Sequence, residues 1–385
     1  MILLAALLQA SAPLPAPPSA DRPDDIVVVA GGADRAQAAL AACIARKCPP
    51  DREIRAALVY STRQFLAGDY TGSRRTLLAS RSRNAQFDKT YPLEVSDLHR
   101  AIARLSNLDG RADSARVAAF DATDALKAGL QPDDPLILLQ RLESAQQLAR
   151  QGRLTGAVQI YDDVAAKAHK KSYHSVEGQA MFGVAAIYAA IAEADPDYRG
   201  VARRRAAKIE QRTEPEFADF HEGLKLLRLK IESLKTASGK RGAAIAHAST
   251  GAVAVDDAVM LYEPLAEFSQ SSSGLSGLAG GNGDPEWADV AFWVRPDGSV
   301  GDVEVIGRSK NAPGSWLGIK AKAVAARRYA PLKPREDARG LYRVERYSMV
   351  YELGINIGSN MRVRSARGKL ETTDITSAHR PPPLG

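Results

Sequence analysis

The stretch FLAGDYTGSRR (residues 65–75) has two counterparts later in the chain, NLDGRADSARV (residues 107–117) and ARQGRLTGAVQ (residues 149–159), which share its leading glycine and the small residues that follow. The leading glycines stand at positions 68, 110 and 152, so the spacing is 42 residues both times. A glycine at such a point ends a helix in the left-handed backbone conformation, which residues with a Cβ adopt only at a cost. Each copy therefore predicts a turn between two helices, and the period predicts stacked helix pairs.

The helical pattern continues on both sides of these turns. A weaker fourth unit follows at residues 191–198, and a final helix is expected over residues 215–234. Apolar residues recur at helical spacing across residues 138–149 and 158–165, and this pattern is typical of core faces. The sequence therefore predicts an all-α array of about four helix pairs over residues 37–238.

These turns and their small residues resemble the tetratricopeptide repeat family, although the period of 42 exceeds the usual 34 or so residues of that family. The resemblance implies a concave face that binds a peptide or a protein. A scaffold without any ligand on that face is an equally open alternative.

The C-terminal third changes to a period of two. Alternating apolar residues at 288–294 lead into RPDGS (residues 295–299), where proline and Asp-Gly favour a tight turn, and residues 300–306 return as a second strand. A helix over residues 316–329 is expected to end before Pro331 and Pro334. We expect its basic residues to lie largely outward: Lys320, Lys322, Arg327 and Arg328.

A third strand is expected at residues 341–353, and a further hairpin is expected to turn at Arg367-Gly368. The run VRPDGSVGDVEV (residues 294–305), a helix ending near Tyr329 and Pro331, and this last strand together resemble the C-terminal domain of TonB. The resemblance implies a small α+β domain with an antiparallel sheet. No energy transduction is expected, because neither a membrane anchor nor a long proline-rich spacer is recognisable.

The chain is therefore expected to be multidomain. Residues 1–20 are interpreted as a signal peptide, 21–36 as a flexible segment, and 239–285 as a Gly/Ser-rich linker with a possible strand at 258–262 added to the following sheet. The TonB-like α+β domain is expected over residues 286–377, with a disordered tail at 378–385. An uncleaved N-terminus is the alternative to the signal peptide, and no further membrane-spanning segment is expected.

Cys43 and Cys48 are the two cysteines of the chain. Their spacing is neither a Cys-x-x-Cys redox motif nor a metal set, so we expect a structural disulfide, with two free buried thiols as the alternative. Together with the signal peptide, this predicts a location in the periplasm or envelope of a Gram-negative bacterium.

No pattern for catalysis, metal or cofactor binding is recognisable, so no enzyme activity, metal, cofactor or nucleic-acid binding is expected. The hypothesis is an exported interaction or scaffold protein, whose partner is an unidentified envelope protein or peptide. The third strand would offer its edge to that partner; its candidate contact residues are Tyr342, Val344, Arg346, Tyr347 and Tyr351.

Two alternatives to this hypothesis stay open. The C-terminal module could be purely structural or could form a homodimer. It could also bind anionic envelope components, because residues 286–385 hold 17 Lys and Arg against 11 Asp and Glu, which is +6 of the chain's net +7.

Overall fold

The computed structural model describes residues 32–234, 236, 238–249, 254–264, 285–312, 314–333, 339–355 and 362–379. The predicted signal peptide, most of the segment 21–36 and residues 380–385 of the predicted tail lie outside these residues. So does the Gly/Ser-rich run within 265–284.

The N-terminal part is an array of antiparallel helices joined by short turns. The first helices are α1 (Ala33–Ala45), α2 (Pro50–Leu66), α3 (Tyr70–Asn84), α4 (Pro92–Leu108), α5 (Ala112–Gly129) and α6 (Pro135–Arg150). The array continues with α7 (Leu154–Lys170), α8 (His174–Ala194), α9 (Arg199–Glu210), α10 (Ala218–Ser233) and α11 (Ser238–Ser249). Short 3-10 turns lie at Ala85–Phe87, Pro196–Tyr198 and Pro215–Phe217.

The three spaced glycines act as the sequence predicts. Gly68, Gly110 and Gly152 have φ of +86°, +70° and +74°, and each stands in the turn between two helices. The carboxylate of Asp69 accepts a hydrogen bond from the backbone N–H of Gly72 at 2.6 Å and caps the start of α3. The expected helix pairs are confirmed as α2–α3, α4–α5, α6–α7 and α8–α9.

Helix α8 is long and apolar enough to cross a membrane by length and composition alone. It lies inside the array, where Ala180, Val184 and Ile187 are fully buried among α6 and α7. A core helix of this kind passes the same test, so it is weak evidence for a membrane span.

The C-terminal part is a four-stranded antiparallel sheet with one helix. Its strands are β2 (Glu286–Val294), β3 (Val300–Arg308), β5 (Leu341–Ile355) and β6 (Arg362–Asp374), in the order β3-β2-β5-β6. The helix α12 (Gly314–Ala325) covers one face of the sheet, and the opposite face lies against the helical array. The predicted turn between β2 and β3 is confirmed, because Gly298 has φ +78° and Arg295 N donates to Ser299 O at 2.8 Å.

The expected end of the helix is wrong. Helix α12 stops at Ala325, and Arg328–Tyr329 form a short strand, β4, that pairs with β1 (Met260–Tyr262). The possible strand at 258–262 therefore exists as β1, but it forms a separate two-stranded sheet with β4 rather than joining the main sheet.

Two of the basic residues expected to lie outward are buried. Arg327 is 2% exposed and Lys320 is 7% exposed. Arg327 donates to Glu345 Oε2 at 2.8 Å and to the hydroxyl of Tyr347 at 3.0 Å, and Lys320 contacts Glu263. Paired carboxylates offset the cost of burying these cations, which helical spacing alone could not indicate.

Two further expectations are also wrong. Arg367-Gly368 is not a turn, because both residues lie within β6, where Gly368 pairs with Tyr351 of β5. The segment 239–285 is not all linker, since it contains α11 and β1. Ile245 of α11 and Leu261 of β1 are buried together with Leu226 of α10.

Cys43, near the end of α1, lies beside Cys48 in the turn before α2. Their Cα atoms are 5.2 Å apart, and the two sulfurs are at bonding distance. The pair ties the end of α1 to the start of α2, as the disulfide prediction expects.

Candidate functional site

A polar groove runs along the helical array between α4 and α6 and encloses about 320 Å³. Arg100, Ala103, Arg104 and Asn107 line it from α4 at successive intervals of three, one and three residues, so they share one helix face. Ala119 of α5 lies on the groove wall, and α6 supplies the opposite side with Gln140, Glu143, Gln146, Gln147 and Arg150.

The charge at one position of the groove is already neutralised. Arg100 donates from Nε to Glu143 Oε2 at 2.8 Å and forms a second bond from the same guanidinium to Oε1 at 2.5 Å. Asp97 accepts a third hydrogen bond from Arg100 at 3.0 Å. These hydrogen bonds hold the Arg100 guanidinium in one orientation, and Glu143 and Asp97 neutralise its positive charge.

The side-chain amides of Asn107 and Gln147 form a reciprocal pair across the groove. Each amide nitrogen donates to the other's carbonyl oxygen at 2.6 Å. The pair ties α4 to α6 and sets the width of the groove at this level.

Arg104 and Arg150 are the unneutralised cations of the groove. Within the described part of the chain, neither forms an ion pair or a side-chain hydrogen bond, and the Nε of Arg150 is buried without a partner. Arg104 is exposed to solvent but stands in a concave wall. Loss of hydration within the groove and the nearby charges of Arg100 and Arg150 lower the pKa of its guanidinium, and the charges of Glu143 and Asp97 offset part of this effect. An arginine nevertheless stays charged at physiological pH.

The groove thus presents two guanidinium groups in a rigid frame, and neither forms an ion pair with a described residue, since Glu143 and Asp97 bind Arg100 instead. Guanidinium groups bind carboxylates through paired charge-assisted hydrogen bonds, and the enclosed volume lies at the lower end of the range for small-ligand sites. The arrangement can therefore accept an anionic group of another molecule.

The third strand of the predicted module, β5, does not offer a free edge. It pairs with β2 on one side and with β6 on the other. Among the five predicted contact residues, Val344, Arg346 and Tyr347 are each at most 1% exposed, and Tyr342 and Tyr351 are half-buried. The open edge expected for this strand is therefore not found, because β6 occupies it.

Arg346 instead joins the sheet to the array. Its guanidinium donates to both carboxylate oxygens of Asp289, at 2.6 and 2.8 Å, and to the backbone carbonyls of Phe65 and Leu66 at the end of α2. It also stacks over the ring of Trp287 at 3.9 Å. Burial lowers the pKa of this guanidinium, but Asp289 outweighs that effect and holds the pKa above its ordinary value.

A second contact between sheet and array lies at the turn after α4. Leu353 N donates to Gly110 O at 2.8 Å, and Arg364 donates to Asp109 Oδ1 at 3.3 Å. Gly110 packs so closely on the carbonyl of Tyr351 that a Cβ there would overlap it. The sheet therefore rests on the same glycine turns that the repeat pattern marks.

The groove residues were not among the sites predicted from the sequence. Arg100, Arg104 and Asn107 share a face of α4, and Gln147 and Arg150 share a face of α6, so helical spacing could have indicated two polar faces. It could not indicate that these two faces meet, because α5 separates them in sequence.

No protein-family model, no curated protein and no solved structure matches this chain. Among the described residues, no group of three or more His, Cys, Asp and Glu side chains is arranged to hold a metal ion.

Proposed function

We propose that this protein is an interaction scaffold whose groove between α4 and α6 binds an acidic segment of a partner protein. The observation that carries the proposal is the pair of arginines, Arg104 and Arg150, that have no counter-ion among the described residues. A carboxylate placed between them would gain charge-assisted hydrogen bonds, each contributing about 1.5–3 kcal/mol.

The frame of the groove supports this proposal. The Arg100–Glu143 fork and the Asn107–Gln147 pair hold α4 and α6 at a fixed separation before any ligand arrives. Binding to a preorganised site avoids part of the entropic cost of ordering side chains.

We propose a structural role for the C-terminal sheet. Its contacts through Arg346 and Gly110 hold the ends of α2 and α4, and Gly110 lies three residues beyond Asn107 of the groove. A firmly docked sheet would keep α4 in place. Of the two hypotheses for the C-terminal module, we therefore favour a structural role over the addition of a partner's strand to β5.

Export and the two family resemblances also belong to the proposal. Cys43 and Cys48 at bonding distance support an oxidising compartment such as the periplasm. Left-handed glycines at 42-residue spacing support a tetratricopeptide-like array, and the β2–β3 hairpin followed by α12 supports a TonB-like module.

The proposal can be tested with a fluorescein-labelled pentaglutamate peptide, whose binding is followed by fluorescence anisotropy. The peptide should bind the full chain, and pentaglutamine should not. The double variant Arg104→Gln with Arg150→Gln should weaken pentaglutamate binding about 10-fold or more, because at least one charge-assisted hydrogen bond is lost.

The matched control is the double variant Arg203→Gln with Arg228→Gln. It removes the same two charges from arginines whose partners, Glu232 and Glu210, lie on the array surface. Equal weakening by both double variants would indicate long-range attraction alone and would contradict a groove site. Unchanged binding in the Arg104 and Arg150 variant would contradict it as well.

A further inference from the structure

A second cavity, of about 250 Å³, lies on another part of the chain and is independent of the groove. It is bounded by α10, by Phe182 of α8 and by the segment 255–261 that precedes and includes part of β1. Its walls are mainly apolar, with Phe220, Leu226 and Leu227 from α10 and Val259 and Leu261 from the opposite segment.

Lys230 lines the cavity at the C-terminal end of α10. It is 8% exposed, and its ammonium forms no hydrogen bond or ion pair with any described residue. Burial lowers the pKa of this ammonium, and the charge of Glu193 offsets part of the effect. Lys230 therefore brings an ammonium without a hydrogen bond to the cavity wall, where an anionic group of a ligand would gain a charge-assisted contact.

The carboxylates of Glu193 and Glu263 attract the Lys230 ammonium from a distance, but among the described residues neither forms an ion pair with it. Glu193 lies 3.8 Å from Arg241, and Glu263 contacts Lys320 and lies 3.3 Å from Arg327, which also binds Glu345. Within the described residues, this cluster therefore sets four cations (Lys230, Arg241, Lys320 and Arg327) against three carboxylates (Glu193, Glu263 and Glu345). One positive charge is in excess, and among the described residues Lys230 is the cation of this cluster that no carboxylate approaches within ion-pair distance.

The opposite end of the cavity carries the opposite charge. Asp219 and Glu222, in the first turns of α10, are exposed and form no ion pair with described residues. Lys333, which also lines the cavity, attracts both of them from a distance. The neighbouring Asp256 is already paired with Lys333 at 2.7 Å, and Asp257 lies 3.6 Å from Arg343. Eight residues of helix separate Glu222 from Lys230, which corresponds to about 12 Å along the axis.

We infer that this cavity binds a short apolar peptide with both termini free. Its carboxylate would pair with Lys230, its apolar side chains would contact the leucines and phenylalanines between, and its ammonium would face Asp219 and Glu222. An extended tripeptide spans about 10 Å, which fits the separation of the two charged ends.

The charge pattern favours this occupant over simpler ones. A ligand with a carboxylate alone would pair only with Lys230, and a ligand with an ammonium alone would pair only with Asp219 and Glu222. A molecule with charges of both signs at its two ends satisfies both sites at once.

Isothermal titration calorimetry of the full chain with three probes tests the inference: Leu-Leu-Leu, its C-terminal amide and its N-acetyl form. The free tripeptide should bind, and each blocked form should bind about 10-fold or more weakly, because one charge-assisted contact is lost. Equal binding of the free peptide and its amide would overturn the role of Lys230, and no binding of any probe would overturn the site.

Variants assign the two ends. Lys230→Met keeps the apolar stem and should abolish the preference for the free carboxylate, and Glu222→Gln with Asp219→Asn should reduce the preference for the free ammonium. Glu216→Gln, an exposed change outside the cavity lining, should leave both preferences unchanged. A Lys230→Met protein that still prefers the free carboxylate would refute the assignment, and the probe comparison on the unchanged protein needs no variant to fold.

Discussion

Replacing Arg346 by methionine should loosen the joint between the sheet and the helical array. The guanidinium is 1% exposed and makes its hydrogen bonds to Asp289 and to the carbonyls of Phe65 and Leu66. Methionine fills much of the same space but can donate to none of these acceptors. Asp289, which is 5% exposed, would then be a buried carboxylate without its cation.

Breaking a buried ion pair by removing one partner costs about 3–5 kcal/mol, chiefly because the remaining charge is left uncompensated. The carbonyls at the end of α2 would also lose a cation that complements the negative end of the helix dipole. Because proteins unfold with a net free energy of about 5–15 kcal/mol, the loss should be a large fraction of the total. Adding Asp289→Leu should recover part of it, since that change removes the stranded charge.

Urea unfolding followed by both far-UV circular dichroism and tryptophan fluorescence checks this prediction. The three tryptophans of the chain all lie in the C-terminal part, and Trp287 stacks on Arg346, so the fluorescence should change at lower urea than the helical signal if the joint opens first. Arg308→Met is the control, because Arg308 is exposed on β3. A midpoint for Arg346→Met equal to that of the control would refute the reasoning, as would a double variant less stable than the single one.

Three further predictions follow from single positions. Burial lowers the pKa of His99, so the neutral side chain contributes fully to stability above about pH 6.5, and this contribution is lost as the pH falls below that value. In His99→Gln, the midpoint of urea unfolding should therefore change less between acid and neutral pH. Burial raises the pKa of Tyr70 to about 12, so stability should decrease between about pH 10 and 12, and Tyr70→Phe should lessen that decrease. The same change should cost about 1 kcal/mol at neutral pH, because it removes the buried hydrogen bond of 2.7 Å between the Tyr70 and Ser348 hydroxyls. Gly110→Ala should destabilise the protein by more than about 2 kcal/mol in thermal unfolding, because φ is +70° and the added Cβ would overlap Tyr351 O. Gly318→Ala is the comparison: Gly318 has open space around it, so this change should stabilise the protein by about 0.5–1 kcal/mol.

Each of these predictions has an outcome that contradicts it. A His99→Gln protein with the same pH dependence as the unchanged chain would exclude His99 as the cause of acid sensitivity. A phenolate absorbance titration without a high-pH tyrosine, or an unaltered alkaline transition in Tyr70→Phe, would contradict the second. Equal effects of the two glycine substitutions would contradict the third, because the pair differs in backbone conformation and in available space.

The sequence could predict the features that local chemistry controls. Glycine at 68, 110 and 152 marks the helix turns because residues with a Cβ rarely adopt their backbone conformation. Asp297-Gly298 marks the β2–β3 hairpin for the same reason. These features depend on a few neighbouring residues, so they can be recognised without knowledge of the rest of the chain.

The tertiary structure decided which side chains are buried and which surfaces remain available. Arg327 was expected to lie outward and Arg346 to contact a partner, but each is buried against carboxylates that lie well apart from it in sequence. Such a pair makes burial of a charge tolerable. Strand β5 was expected to have an open edge, but β6 pairs with it there. The groove arises because α4 and α6 come together across α5, and helical periodicity fixes the face of a helix but not its neighbour.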